Sequence, residues 1–254
     1  MRAYQNDAGV PATGAASDVD WTAITDTPVP GLEARCLQLT STFEGHGYTL
    51  VQGNWDNAWI TWGIIGFTLK HGGIQSIVRH LRQSAPECIV QGFGDDAARF
   101  LQVMDGSAAD QEAWANTISI GAKIAEPWRT HFQNFGSLPA VQAEQRARAH
   151  TDYFVPAMKT AAVLGCRSEL GVALCFDIQV QNGGVSAALQ QTLLNETAGQ
   201  LEPAVRERIA NVVADHALAR FRDDVRARKL SIARGQGTVH GRTVTLANWG
   251  LSDV

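Results

Sequence analysis

The chain has 254 residues, a formal net charge of −4 and a pI of about 6.0. Its length suits one large domain or two small ones, and its 45% hydrophobic residues are enough for a sizeable core. The charge balance argues against a nucleic-acid partner, because nucleic-acid-binding domains usually have a pI above about 9. No apolar run approaches the ~20 residues of a membrane helix, so we do not expect membrane insertion.

The first 30 residues are rich in Gly, Ala, Pro, Asp and Thr and poor in large apolar residues. This composition predicts a linker-like segment over residues 1–30 and one folded domain over residues 31–254. An ordinary loose terminus explains the same composition equally well. The segment has no hydrophobic signal sequence, so we expect export, if any, by another route.

Apolar residues recur at helical spacing through most of the domain. The predicted helices cover residues 30–44, 74–83, 95–104, 111–125, 128–135, 138–164 (interrupted before Pro156), 168–181, 186–195 and 202–229. Short β-segments are predicted at 48–52 and 59–67, joined as an irregular hairpin, and at 244–246. The helix over 168–181 is apolar nearly all round, which predicts a central buried helix.

Asp177 is a charged residue inside that apolar helix. A buried charge is costly unless it is paired, so a basic partner is implied. The candidates are Arg222, Arg226 and Arg228, and we prefer Arg226 and Arg228. The alternative is that Asp177 faces solvent.

The four cysteines, Cys36, Cys88, Cys166 and Cys175, lack the spacing of a zinc site or a redox motif. On one helix, Cys166 and Cys175 would be about 13.5 Å apart, which exceeds the roughly 7 Å that a disulfide spans. We therefore expect free thiols.

Two carboxylates and a hydroxyl cluster around the predicted hairpin. Glu44 ends a helix, and the hairpin can fold Asp56 and Thr61 back across a cleft from it. Glycoside hydrolysis uses such a pair, one carboxyl group protonating the leaving oxygen and the other activating water. The pattern predicts Glu44 as the acid and Asp56, on a polar turn with Asn57, as the base, with Thr61 helping to hold the water. This chemistry needs no metal and no organic cofactor. The alternative is a pair of ordinary surface carboxylates.

Several side chains near this segment are candidates for substrate binding. Trp55, Trp59 and Trp62 are predicted either to stack on sugar faces or to pack in the core, and Asn57 is a polar candidate on the same turn. The choice between stacking and core packing stays open for each tryptophan.

The segment Glu44, Asp56, Thr61 and Gly63-Ile64-Ile65-Gly66-Phe67 resembles the catalytic segment of the lysozyme superfamily. It is most similar to family 46 chitosanases and related lysozyme-like muramidase domains. A second stretch, at 153–157, 164–165 and 173–177, resembles the chitosanase helix whose aspartate belongs to a buried ion-pair network behind the acid. The similarity spans roughly residues 32–185.

This resemblance implies an α+β, mostly α-helical, lysozyme-like fold with two lobes and a small β-hairpin beside the catalytic cleft. It also implies hydrolysis with inversion. Domains of this kind can have a Gly-rich tail that lines the cleft, which makes His240 a candidate sugar contact.

One departure from the chitosanase pattern bears on the substrate. The chitosanase run Asp-Gly-Arg-Gly is replaced by Asp56-Asn57-Ala58-Trp59, which loses an arginine and gains an aromatic residue. We therefore favour peptidoglycan as the substrate of a muramidase of the phage-lysin or antibacterial-effector type. Such an enzyme would act on the cell wall, in the periplasm or outside the cell, after delivery by another route. A delivery machinery or an immunity protein would then be its partner.

The sequence leaves two alternatives open. The first is a chitosanase, and the second is a lysozyme-like domain that binds glycan without cleaving it. The joint presence of Glu44, Asp56 and Thr61 argues against the second.

Overall fold

The structure is a computed structural model that describes residues 1–12, 18–45, 47–54 and 57–254, and helices dominate this part of the chain. The helices are α1 (Arg2–Asp7), α2 (Asp18–Thr25), α3 (Leu32–Glu44), α4 (Gly73–Ser84), α5 (Glu87–Phe93), α6 (Ala97–Asp105), α7 (Ala108–Ile118), α8 (Trp128–Ser137), α9 (Pro139–Ala149), α10 (Val155–Val163), α11 (Glu169–Asn182), α12 (Ala187–Glu196), α13 (Glu202–His216) and α14 (Arg222–Arg234). The strands are β1 (Val51–Gln52), β2 (Thr61–Trp62), β3 (Phe67–Thr68), β4 (Ser119–Ile120), β5 (Lys123–Ile124), β6 (Gln236–Val239) and β7 (Arg242–Thr245). The predicted α+β, mostly helical fold class is confirmed.

Helix α11 is the centre of the core. Nine consecutive residues, from Leu170 to Ile178, are buried, and the helix packs against α3, α10, α13 and α14. Its first turn is capped by the Ser168 side chain, which accepts a hydrogen bond from the Gly171 amide. It ends at Gly183, whose left-handed conformation suits glycine. The predicted central buried helix is therefore present.

The prediction of a single helix over 202–229 is wrong. Helix α13 ends at His216, the backbone is extended at Ala217, and α14 begins after a short 3-10 turn over Ala219–Phe221. No proline or glycine marks this break in the sequence. Helices α13 and α14 instead pack against each other, so tertiary burial outweighs the continuous local helical pattern.

The predicted helix over 111–125 is also too long. Helix α7 ends at Ile118, and β4 and β5 pair as a tight antiparallel hairpin whose turn contains Gly121 at φ +59°.

Helix α5, between the predicted helices at 74–83 and 95–104, was not predicted. Its Phe93 is fully buried among other aromatic rings, so this helix contributes a core side chain.

The three-stranded antiparallel sheet β1-β2-β3 corresponds to the predicted hairpin segment. Gly63 and Gly66, in the Gly-Ile-Ile-Gly-Phe run, have φ values of +87° and +73° and form the turn between β2 and β3. The side chain of Gln145 on α9 fastens this sheet, because it accepts from the Ile64 amide and donates to the Tyr48 carbonyl. The positive φ values explain why Gly63 and Gly66 are glycine, since other residues rarely adopt that conformation.

The N-terminal segment contains more structure than a linker-like composition suggests. Helices α1 and α2 lie within residues 1–30, and a side-chain hydrogen bond of 3.0 Å joins Gln5 to Asp20. Residues 13–17 of the predicted linker lie outside the described residues. None of the described helices is both long and apolar enough to span a bilayer.

The four cysteines are buried thiols in this structure. Cys166 lies in the loop before α11, whereas Cys175 lies within that helix. The predicted separation along one helix therefore does not apply to this pair.

Candidate active site

Glu44 is the last residue of α3, and its position is set by the way that helix ends. Gly45 follows in the left-handed conformation at φ +66°, so the chain turns away directly after the carboxylate. The Glu44 side chain keeps 25% of its surface exposed. It is thus accessible at the end of a helix whose inner face is buried.

Behind Glu44 lies a fully buried ion-pair network centred on Asp177. Its carboxylate accepts hydrogen bonds from Arg228 Nη2 at 2.6 Å, Lys229 Nζ at 2.5 Å and Thr40 Oγ1 at 3.0 Å. Burial alone would raise the pKa of Asp177, but the two cations outweigh it and hold the pKa well below its usual range. Asp177 therefore keeps its negative charge in the core at neutral pH.

Arg228 connects this network to Glu44. Its Nη1 lies 2.7 Å from Glu44 Oε1, and its guanidinium lies 4.8 Å from the centroid of the Phe43 ring. Burial acts to lower the pKa of Arg228, and the Asp177 and Glu44 carboxylates more than reverse this, so the pKa is raised. One arginine thus joins the partly exposed carboxylate of Glu44 to the buried carboxylate of Asp177.

Of the two preferred arginines, Arg228 and not Arg226 contacts Asp177. Arg226 donates to Asp215 and Asn211, at 2.7 Å each, on the neighbouring α13. Two residues along a helix correspond to a rotation of about 200°, so the two arginines point to opposite sides of α14. The proposed role of Arg226 in the network is therefore wrong.

A cavity of about 520 Å³ opens beside Glu44. It is bounded by the ends of α3, α11 and α13, by α14 and by the β6–β7 turn. Its lining consists of Phe43, Glu44, Gln181, Asn182, His216, Ala217, Leu218, Phe221, Asp224, Val225, Arg228 and His240. The candidate sugar contact His240 lies at this cavity, where its Nε2 is 2.6 Å from Asp224 Oδ1.

The second predicted carboxylate, Asp56, lies outside the described residues, as does Trp55. The described residues on either side of them in the sequence are held by hydrogen bonds. The Asn54 side chain accepts from the Trp59 amide at 3.0 Å and donates to Asn116 at 2.8 Å. The Gly53 amide donates to the carbonyl of Ala122 in the β4–β5 turn. Asp56 as general base stays a prediction.

The remaining predicted residues of the hairpin divide into buried and exposed groups. Thr61 lies in β2, where it pairs with Gln52 and Thr68 and is 9% exposed. Asn57 is exposed and has a left-handed backbone at φ +67°. Their proposed roles, holding water and binding sugar, stay predictions.

Trp59 and Trp62 both belong to the core. Trp62 is fully buried, donates to the Phe132 carbonyl at 3.1 Å and stacks on Phe135 with ring centroids 5.3 Å apart. Trp59 is 7% exposed. Neither indole presents an open face, so sugar stacking is wrong for both, and core packing is the alternative that holds.

Sequence reasoning missed several residues of this site, although a positional signal exists for them. Residues four apart on a helix share a face. Thr40 is four residues before Glu44 on α3, and Asp224 is four residues before Arg228 on α14. Lys229 follows Arg228 directly. His216, Leu218 and Phe221 gave no such signal, because they meet the cavity only through the break between α13 and α14.

The described side chains include no group of three His, Cys, Asp or Glu residues arranged to bind a metal ion. The arrangement is instead that of a partly exposed carboxylate at a cavity, supported by a buried arginine and a buried aspartate. Such a carboxylate can exchange a proton with a bound molecule, provided that the substrate oxygen comes within hydrogen-bond distance.

Comparison with solved structures identifies chitosanases of the same fold. A native chitosanase of Bacillus subtilis MY002 is 18% identical and has a TM-score of 0.56, and the alignment covers 88% of this chain and 98% of that one. A mutant of the Bacillus enzyme, complexed with six glucosamine units, is 19% identical with a TM-score of 0.53 over 80% and 86% of the two chains. A family 46 chitosanase of Gynuella sunshinyii, complexed with chitotetraose, is 16% identical with a TM-score of 0.54 over 84% and 97%.

A comparison with curated protein sequences finds no significant match. The family model for glycosyl hydrolase family 46 matches residues 38–206, which is more than half of the chain. That match includes Glu44, the hairpin and Asp177, and it agrees with the predicted lysozyme-like fold. The chain therefore belongs to glycosyl hydrolase family 46 and is a glycosidase.

Proposed function

We propose that this glycosidase cleaves β-1,4 bonds of an amino-sugar polymer of the chitosan type, with Glu44 as the general acid. The observation that carries this proposal is the Glu44 carboxylate, which lines the cavity and is held from behind by the Arg228–Asp177 pair. In this reaction, the Glu44 carboxyl group protonates the glycosidic oxygen as the bond to the anomeric carbon breaks.

Arg228 orients the acid without leaving an unbalanced cation beside it. Asp177 balances the guanidinium charge, and both residues are almost completely shielded from solvent, at 2% and 0% exposure. After the proton has left, the same arginine stabilises the Glu44 carboxylate that remains. The network therefore stabilises the carboxylate that is left once the proton has been transferred.

Asp56 is the proposed general base, with Thr61 as its helper in holding the attacking water. Inverting hydrolysis requires about 6.5–9.5 Å between the two carboxyl groups, which leaves room for that water on the opposite face of the sugar. The described residues Gly53, Asn54 and Trp59, which flank Asp56 in the sequence, are held by hydrogen bonds, and this supports the role because a base needs a fixed distance from the acid.

Chitosan is favoured as the polymer because of the family match and because the similar structures include complexes with glucosamine oligomers. Peptidoglycan is the second candidate, and a specific observation supports it. The described cavity lining carries two carboxylates, Glu44 and Asp224, and one arginine, Arg228, which is only a small negative excess. Such a lining is less anionic than a strongly cationic polymer would favour. Delivery to the cell wall, and a delivery or immunity partner, belong to this second candidate.

The proposal is tested with the wild type and Glu44→Gln on chitosan and, separately, on purified peptidoglycan. Released fragments are identified by mass spectrometry, and initial rates are measured from new reducing ends. Glutamine keeps an oxygen acceptor for Arg228 but has no acidic proton. We therefore expect a rate loss of ~10²–10⁴-fold with the fold intact.

Glu33→Gln is the matched control, since Glu33 lies at the other end of α3 in a partly exposed pair with His150. It should keep full activity. Glucosamine oligomers from chitosan support the first candidate, and muropeptides with reducing-end muramic acid support the second. Full activity of Glu44→Gln would refute the assigned role, and inactivity on both polymers would favour a domain that only binds glycan.

A further inference from the structure

Cys166 and Cys175 are in contact in the core, although they belong to different parts of the chain. After α10 the chain turns at Gly165, which has a φ value of +74°, and Cys166 follows in the loop that leads into α11. Cys175 lies in the middle of α11. The two residues are 3% and 1% exposed, and a hydrogen bond joins their thiols. The structure therefore holds two buried thiols side by side.

Gly171 explains how Cys166 can lie so close to α11. A Cβ atom at position 171 would be 2.7 Å from the Cβ atom of Cys166, which is closer than real side chains allow. Gly171 and Cys175 are four residues apart on the helix, so they share one face, with Cβ positions about 5–6 Å apart. Cys166 therefore packs on the face that carries Cys175. A disulfide requires neighbouring backbones and side chains that face each other, and this packing supplies both.

The two thiols differ in their chemistry. Cys175 donates the hydrogen bond to Cys166, and this bond lowers the pKa of Cys166 and raises the pKa of Cys175. Burial adds to the rise of the pKa at Cys175. The thiolate is the nucleophile in thiol–disulfide exchange, so Cys166 is the sulfur that attacks an oxidant and Cys175 is the sulfur that attacks second.

We propose that Cys166 and Cys175 form a reversible disulfide when the chain folds in the presence of a low-molecular-weight disulfide such as oxidised glutathione. The Cys166 thiolate attacks one sulfur of the oxidant, so a mixed disulfide forms and one small thiolate leaves. Cys175 then loses its proton and attacks Cys166 Sγ, which releases the second small thiolate. The protein loses two hydrogen atoms, and the oxidant is reduced to two thiols. Because both cysteines are buried in the native fold, the exchange takes place before the loop closes over α11.

The disulfide would join the loop before α11 to the middle of that helix, close to Asp177. A cross-link reduces the conformational entropy of the unfolded chain, and for a loop this short we expect a rise in Tm of about 5–10 °C. Disulfides persist in oxidising compartments and are reduced in the cytosol. The pair therefore makes the stability of this chain depend on the redox state of its surroundings.

The test refolds the full chain from urea in a mixture of oxidised and reduced glutathione and, separately, in dithiothreitol. The remaining thiols are blocked with iodoacetamide in urea, and tryptic peptides are mapped by mass spectrometry without reduction. Trypsin cleaves after Arg167, so Cys166 and Cys175 fall in separate peptides, 160–167 and 168–206. We expect the two peptides to be joined after refolding in glutathione and to be separate after refolding in dithiothreitol.

Thermal melts provide the second readout. The wild type refolded in glutathione should melt about 5–10 °C higher than the wild type refolded in dithiothreitol, and Cys166→Ser and Cys175→Ser should each abolish this difference. Cys88→Ser is the matched control, because Cys88 is also a buried cysteine but lies on α5, outside the pair. It should keep both the joined peptides and the difference in Tm.

Separate peptides after refolding in glutathione would overturn the proposal, whether the thiols stay free or carry glutathione. Linkage of Cys166 or Cys175 to Cys36 or Cys88 would also overturn it. A Tm that does not rise when the two peptides are joined would show that the native fold does not accommodate the disulfide, and this result would count equally against the proposal. The peptide map of the wild type decides the question even if a serine variant does not fold.

Discussion

Replacement of Asp177 by alanine tests how much the buried network contributes to the free energy of unfolding. The change leaves Arg228 and Lys229, 2% and 0% exposed, without their shared counter-ion. Breaking a buried ion pair from one side usually costs about 3–5 kcal/mol. Two cations are affected, but burial already lowers the pKa of Lys229 to about 8, so this amine is expected to lose its proton in the variant. We therefore expect a loss of about 4 kcal/mol, which corresponds to a fall in Tm of about 8–16 °C.

The measurement is urea unfolding followed by circular dichroism, with thermal melts as a second readout. Asp215→Ala is the matched control, because it removes a carboxylate that pairs with Arg226 at 2.7 Å but is 53% exposed. An exposed pair contributes about 0–1 kcal/mol, so the control should remain close to the wild type. Equal stability of the two variants would refute the conclusion that the Asp177 network holds α11 and α14 together.

Three further predictions concern other parts of the described chain. Because the pKa of Asp177 is held low, its contribution to stability is present above its unfolded pKa of about 3.9 and is lost as the pH falls below that value. Urea midpoints measured between pH 5 and pH 2 should therefore fall more steeply for the wild type than for Asp177→Asn, and parallel slopes would contradict this. Burial raises the pKa of Cys36 to about 12, so iodoacetamide at pH 8 should modify this thiol only when the protein is unfolded in urea. Peptide mapping identifies the modified cysteine, and modification of Cys36 in the native protein would contradict its burial. Gly136→Ala would push a methyl group into the backbone of Tyr48 and should lower the unfolding free energy by about 1–3 kcal/mol, whereas Gly31→Ala, which meets open space, should not.

The parts of the fold that follow from local patterns were accessible from the sequence. The all-round apolar run predicted the burial of α11, and the glycine after Glu44 marked the end of α3. Apolar periodicity and helix-ending glycines depend only on residues close together in the sequence, so both can be detected from a single sequence.

The choice between Arg226 and Arg228 could have been made from helical phase. Val225 and Ile232 are buried, and Arg228 and Lys229 lie three and four residues after Val225, on the same face of α14. Arg226 does not share that face. The prediction of one continuous helix over 202–229 obscured this phase, because the apolar stripe of α13 does not continue into α14.

The role of Trp62 depended on residues far away in the sequence. Its ring stacks on Phe135, and its indole N–H donates to the Phe132 carbonyl, both on α8. A two-residue strand such as β2 gives no clear alternation of faces, so its sequence could not decide between core and cleft.

The break between α13 and α14 places both the ion-pair network and the apolar rim residues beside the same cavity. It turns α14 back along α13, so that Arg228 meets both Asp177 and Glu44, and it leaves Leu218 and Phe221 at the rim of the same cavity. Arg228 and Phe221 should contribute differently to the free energy of unfolding, because Arg228 is buried in an ion-pair network whereas Phe221 is nearly half exposed. A substitution at the rim should therefore leave the network intact. A substitution of Arg228 should reduce stability and catalysis together, because the same side chain balances the buried charge and orients the proposed acid.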